Sequence, residues 1–174
     1  GRQRSDGANR GFGARRNSAT DDPATLTTPL LMLALLTAPY FFLGHVQTHL
    51  AGHPTSPRTR AAIGIATMFT FTGVAHFVAS EPMVQMLPPW VPARTEIVYA
   101  SGVLEIALAL LILVPALRRA VGWLLIGMLI GFLPVNAYAA FVQAPMGGHA
   151  WGPVYLLVRV PVQAIIAAWI WWFM

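Results

Sequence analysis

The chain has 174 residues, is 56% hydrophobic and only 10% charged, and has a mean hydropathy of +0.62. Water-soluble domains carry about a quarter charged residues, so this composition excludes a solvated globular surface and implies one compact membrane bundle. The net charge is +5 with arginine as the sole strong base, and cysteine is absent, which excludes disulfide relays, thiolate metal sites, iron–sulfur ligation and cysteine nucleophiles within the sequence.

Residues 1–26 form a polar tail rich in Gly, Arg, Asn, Ser and Asp, without apolar periodicity. Alone it is expected to be disordered, and it is expected to dock on a partner protein. The sequence starts at Gly1 without an initiator Met, which points to a cleaved presequence. Residues 27–60 read as an extra transmembrane helix and loop, and residues 61–174 as a four-helix membrane domain. The five apolar stretches are Thr28–Val46 (interrupted by Pro39), Ala61–Ala79, Ile97–Val114, Ala120–Phe141 and Pro153–Phe173. Each approaches the roughly 20 residues a bilayer demands, and lipid-exposed backbone there must be helical. The expected fold is therefore all-α. The connector Leu117–Arg119 is so short that the third and fourth spans should be antiparallel neighbours.

The basic side chains lie in the tail and loops, which suits anionic headgroups and membrane orientation and argues against nucleic acid. Arg58, Arg60, Arg118 and Arg119 fall on one side, and the positive-inside rule puts that side and the C-terminus in the cytoplasm. Arg15 and Arg16 dissent, since five spans would leave them outside. Trp90 and Trp151 mark one interface, and Trp123 with Trp169, Trp171 and Trp172 the other.

The polar residues inside the spans share a depth. Counted from the side carrying the 80–96 and 142–152 loops at about 1.5 Å per residue, His76 is roughly 5 Å in, Asn136 roughly 7 Å, Arg159 roughly 9 Å, Glu105 roughly 13 Å and Gln163 roughly 15 Å. Glu105 and Arg159 are the two charges well inside a span. Each costs at least about 2.5 kcal/mol at the membrane centre, so they are expected to face inward and pair. Ser101 stands one turn from Glu105, and Pro134 and Pro161 free carbonyls near Asn136 and Arg159. The simpler meaning of this layer is a polar clasp that locks helix register. The functional meaning is a pocket in which His76, Glu105 and Arg159 surround the head of a quinone or other lipid-like ligand. Proton transfer through His76 and Glu105 is a third.

His45, His49 and His53 recur every four residues, but Gly52 and Pro54 end the helix there and no carboxylate is near, so they read as interfacial histidines without a metal. Leu87–Pro92 (LPPWVP) reads as a rigid interfacial loop, with Pro88 and Pro89 fixing the backbone and Trp90 anchoring it; it serves as a lid on the polar layer or as a connector. The sequence holds no Gly-rich phosphate loop, nucleophile elbow or zincin motif, so no catalytic residue is assigned and a self-sufficient enzyme is not expected.

FTGVAHF (Phe71–Phe77), MVQMLPPWVP (Met83–Pro92), VYASGVLEIALALLILVP (Val98–Pro115), the double arginine Arg118–Arg119, GWLLIGMLIGFLPVNAYAA (Gly122–Ala140) and VRVPVQAIIAAWIWW (Val158–Trp172) together resemble the DoxX-like family of membrane proteins. The resemblance covers roughly two-thirds of the chain from Ala61 onward, with Pro134–Val135–Asn136 where the family commonly has Pro-Ala-Asn. It implies a four-helix bundle with one added N-terminal span. It also implies recurrent positions at His76, Pro88, Pro89, Trp90, Gly102, Glu105, Asn136, Arg159 and Gln163. Cysteine-dependent redox relatives are no model for a chain without cysteine. The expected function is a non-catalytic accessory subunit of a larger membrane complex, energy-transducing in a respiratory or photosynthetic setting. The alternative is a quinone- or lipid-binding subunit of an oxidoreductase. The expected setting is a bacterial inner membrane or, with a cleaved presequence, an organelle inner membrane.

Overall fold

A computed structural model describes residues 24–50 and 55–174, with side chains at 26–46 and 55–174. Residues 1–23 of the polar tail, His53 and the His49 side chain lie outside the described residues. Among the described residues six α-helices follow one another: α1 (Ala24–Leu50), α2 (Pro57–Val78), α3 (Ser80–Gln85), α4 (Arg94–Leu111), α5 (Arg118–Phe141) and α6 (Leu156–Phe173), with a 3-10 helix over His149–Tyr155 leading into α6. No strand occurs among the described residues. The protein is an all-α membrane helical bundle.

Among the described residues four stretches are long and apolar enough to cross a membrane: Leu26–Val46, Pro57–Val78, Arg118–Phe141 and His149–Phe173. The protein is thus a multi-pass membrane protein whose apolar helices face lipid. Of the five expected spans, α4 departs in composition. It has 18 residues, about 27 Å of helix, and carries Arg94, Glu96 and Glu105. Arg94 and Glu96 sit in its first turn, whereas Glu105 is buried, so the charge that spoils its hydropathy is turned away from lipid.

Local sequence accounts for the start of α2. Ser56 caps α2, its hydroxyl accepting from the Thr59 amide at 3.3 Å, and Pro57 follows at the first helical position. Prolines at 29, 39, 134 and 161 remain inside helices, as membrane helices tolerate when neighbours pack against the freed carbonyls. α1 runs through Pro39 unbroken.

Glycine decides the helix crossings. α1 meets α2 where Gly64 lies on the backbone of Leu36, so closely that a Cβ there would collide with the Leu36 carbonyl. α2 meets α4 at Gly73 and Gly102, where a Cβ on Gly102 would stand 2.9 Å from the Gly73 carbonyl oxygen. Removing side chains at a crossing lets two backbones approach, and packing then holds helices that lipid cannot drive together. α4 and α5 do touch, as their short connector requires, but α2 is the principal neighbour of α4.

The half of the bundle nearer the arginine-bearing loops is apolar. Ile65 and Met68 of α2, Leu108 and Ile112 of α4, Val121 and Leu125 of α5, and Ile166 and Ile170 of α6 close there into one core, joined by Leu36 of α1. Tyr40 of α1 packs edge-on against Trp169 at 5.4 Å and under the Arg60 guanidinium at 4.8 Å. The other half holds the polar residues.

Candidate functional site

In that other half the helices enclose a cavity of about 240 Å³. His76 of α2, Glu105 of α4, Asn136 of α5, and Arg159 and Gln163 of α6 all line it. Side chains placed in the same half of the membrane by four separate helices line one space. The rest of the wall is largely apolar, and five of the seven methionines contribute: Met32, Met68, Met83, Met86 and Met146. Thioether side chains adapt to irregular shapes, which suits a wall that receives a ligand.

The Gly73–Gly102 crossing sets the first part of the site. It presses Glu105 against α2, and Glu105 is only 3% exposed. Thr72 donates its hydroxyl to Glu105 Oε2 at 2.5 Å. Its oxygen is also 3.2 Å from the Phe69 carbonyl, but one hydrogen serves one acceptor best, and the nearer charged oxygen is the stronger. His76 Nδ1 lies 2.9 Å from the Thr72 carbonyl, which can only accept, so Nδ1 carries a hydrogen. Nε2 then faces Glu105 Oε1 at 3.9 Å across the cavity wall.

The expected Glu105–Arg159 ion pair is replaced by this arrangement. Both groups reach the same cavity and attract each other electrostatically, yet among the described residues the close contact of Glu105 is with His76, and no Glu105–Arg159 salt bridge within 4.0 Å forms. The cause is geometric: the glycine crossing delivers Glu105 to α2, whereas Arg159, one turn into α6, extends Nη1 to Met32 Sδ of α1 at 3.4 Å. The proline-freed carbonyls are likewise passed over. Asn136 donates Nδ2 to the Phe132 carbonyl of its own helix at 2.9 Å, and Gln163 donates Nε2 to the Leu129 carbonyl of α5 at 3.2 Å.

Three lining residues keep a buried polar atom without a partner among the described residues: Arg159 Nε, Gln163 Oε1 and His149 Nε2. The His149 Nδ1 stands 2.6 Å from the Met146 carbonyl, again an acceptor, so its Nε2 is a bare lone pair. The cavity therefore offers one N–H donor and two acceptors. A head carrying both a carbonyl and a hydroxyl oxygen would satisfy the donor and one of the two acceptors.

His149 was not singled out by the sequence, where it looks like a loop residue. It is 2% exposed and packs edge-on against Tyr155 at 5.0 Å. Gly147 (φ 60°) and Gly148 (φ 91°) turn the chain back before it, and Gly152 (φ 74°, ψ −158°) bends the 3-10 helix after it. The readable signal was the Gly-Gly-His…Gly-Pro spacing, a loop that re-enters the bundle. Thr72 was equally overlooked, although it sits one turn before His76 on the same helix face.

The interfacial loop borders the cavity at its first residue. Leu87 reaches the cavity, but Pro88, Pro89 and Trp90 do not line it, and Trp90 is 82% exposed. His45 is exposed on α1, away from the site.

A family model described as "Domain of unknown function (DUF8561)" matches residues 65–174, more than half of the chain. The chain belongs to this family. The DUF8561 region runs from Ile65 in α2 through α6 and contains all five residues of the polar layer as well as Thr72 and His149. Thr28 and Met32, the cavity residues given by α1, precede it. No curated protein and no solved structure matches the chain.

Proposed function

We propose that this protein is a membrane-embedded binding subunit that holds the ring head of a quinone-class molecule within the bundle. The observation that carries the reading is the collection of His76, Glu105, Asn136, Arg159 and Gln163 around one cavity, with three buried polar atoms left over. A clasp built only to lock helix register would pair its members with each other. Leaving a buried polar atom unpaired costs about 1–3 kcal/mol. A head with a carbonyl and a hydroxyl removes that penalty at two of the three atoms, by accepting from Arg159 and donating to Gln163 or His149. Size agrees: an apolar cavity of about 150 Å³ accommodates a benzene ring, and 240 Å³ takes a substituted ring but not its tail. The tail would lie in lipid. The His76–Glu105 pair supplies a proton acceptor beside a head whose redox change moves protons.

With no self-sufficient catalytic motif in the sequence, electrons would come from a partner. The reading therefore includes a place in a larger respiratory or photosynthetic membrane complex, in a bacterial inner membrane or an organelle inner membrane, and kinship with DoxX-like proteins. The test is retention and thermal shift. Protein purified in mild detergent is expected to release a quinone-class molecule into organic solvent, and an added short-chain benzoquinone is expected to raise the melting temperature. Gln163→Leu keeps shape and removes the leftover acceptor. It should melt at or above the unmodified protein and bind the reduced short-chain benzoquinol, whose hydroxyl can donate to Gln163 Oε1, about two- to tenfold more weakly. Protein that carries no quinone and gains no stability from the benzoquinone would overturn the proposal, as would unchanged benzoquinol binding by Gln163→Leu.

A further inference from the structure

At the opposite end of the bundle lies a second concavity of about 640 Å³. It is distinct from the ring-head cavity and shares with it only bundle helices. Its walls come from three places: the first turn of α2, the α4–α5 connector with the first turns of α5, and the end of α6. Arg58, Arg118 and Arg119 line it, and no acidic side chain does. Glu81, Glu96 and Glu105, the acidic residues of the described chain, belong to α3 and α4 on the other half of the molecule. Three positive charges are thus gathered without a neutralising side chain.

They are not equivalent. Arg118 is fixed in place: Nε donates to the Ile112 carbonyl at 3.3 Å, Nη2 to the Leu113 carbonyl at 3.4 Å and Nη1 to Thr59 Oγ1 at 3.2 Å. It closes the end of α4 and ties α2 to α5. Two of its five N–H groups remain free. Arg58 and Arg119 flank it, exposed and without a partner among the described residues. A rigid guanidinium between two movable ones matches the several oxygens of a phosphate better than a single surface charge does. The first turn of α5 has no side-chain cap, so its amide N–H groups add a partial positive charge on the same side.

Trp123 and Trp171 line the same groove, and both are exposed. Exposed indoles at the ends of membrane helices sit at headgroup level. The groove therefore opens where phosphates of the bilayer are, not in bulk water. We propose that it is a binding site for the phosphate of an anionic phospholipid, seated between Arg58, Arg118 and Arg119 with its glycerol against the two tryptophans. Zwitterionic lipid satisfies the site poorly because its own ammonium competes with the arginines.

The test uses the full chain in phosphatidylcholine nanodiscs and in nanodiscs with added phosphatidylglycerol, followed by lipid retention in native mass spectrometry after extraction. Phosphatidylglycerol is expected to be retained in preference to phosphatidylcholine. Arg58→Gln and Arg119→Gln should each weaken retention about fivefold, and together about 25-fold. Arg94→Gln, which removes the same charge at the opposite end, should leave retention unchanged. Melting of both variants in phosphatidylcholine should match the unmodified protein, since neither arginine holds the fold. Equal retention of the two lipids, or an equal loss on Arg94→Gln, overturns the site. Inorganic phosphate displacing the retained lipid completely at millimolar concentration would assign the groove to a free anion and overturn the lipid.

Discussion

Gly102→Ala probes the contact on which the ring-head cavity depends. A Cβ at residue 102 would stand 2.6 Å from His76 Cβ, 2.9 Å from the Gly73 carbonyl oxygen and 3.0 Å from Phe77 Cε2. Carbon atoms rest at about 3.5–4.0 Å, so α2 and α4 must separate by about 1 Å to admit one methyl. The two nearest atoms belong to the α2 backbone or its first side-chain carbon, which cannot swing aside. Overpacking of this kind costs about 1–3 kcal/mol. Alanine returns up to about 1 kcal/mol through its better helix propensity. The steric contribution wins, and a net loss of about 1–2 kcal/mol is expected. For a chain of this size that lowers the melting temperature by about 2–8 °C, read from helical ellipticity in detergent. Gly127→Ala is the control, because a Cβ there meets nothing within 4 Å. It should be neutral or slightly stabilising. Should Gly102→Ala melt at or above Gly127→Ala, the backbone contact between α2 and α4 is not what holds Glu105 against His76.

Two further outcomes are expected. Thr72→Val keeps the shape of the side chain and removes the hydroxyl that donates to Glu105, so stability should fall by about 1.5–3 kcal/mol in thermal melts. Thr72→Ser should recover most of it; equal melting of the valine and serine variants would remove the hydrogen bond from the account. Gly152→Ala places a Cβ on a backbone at φ 74°, ψ −158°, a region essentially reserved for glycine, and should cost about 1–3 kcal/mol. Gly131→Ala, open on all sides, should not, and a matching loss in both would show that the bend before Tyr155 carries no special strain.

The ion pair expected between Glu105 and Arg159 shows where sequence reasoning stops. Position along each helix was legible, because an α-helix advances about 1.5 Å per residue whatever surrounds it. That rule alone placed His76, Glu105, Asn136, Arg159 and Gln163 at one level, and all five line one cavity. Which neighbour each meets depends on how the helices rotate and cross. The Gly73–Gly102 contact gave Glu105 to Thr72 and His76, and left Arg159 to Met32 and Tyr155.

The sequence by itself determined what is local or additive. Composition required a membrane, apolar length required the helices, and even spacing set the polar layer. Tertiary structure alone decided what depends on distant segments meeting. Gly102 and Gly127 are the same residue in similar apolar helices, yet one lies at a backbone crossing and the other faces open space. His149 looks like a loop residue until Gly147, Gly148 and Gly152 fold it back into the bundle. The physical reason is that helix rise is fixed by bonds within one segment, whereas crossing and rotation are fixed by shapes that two segments present to each other.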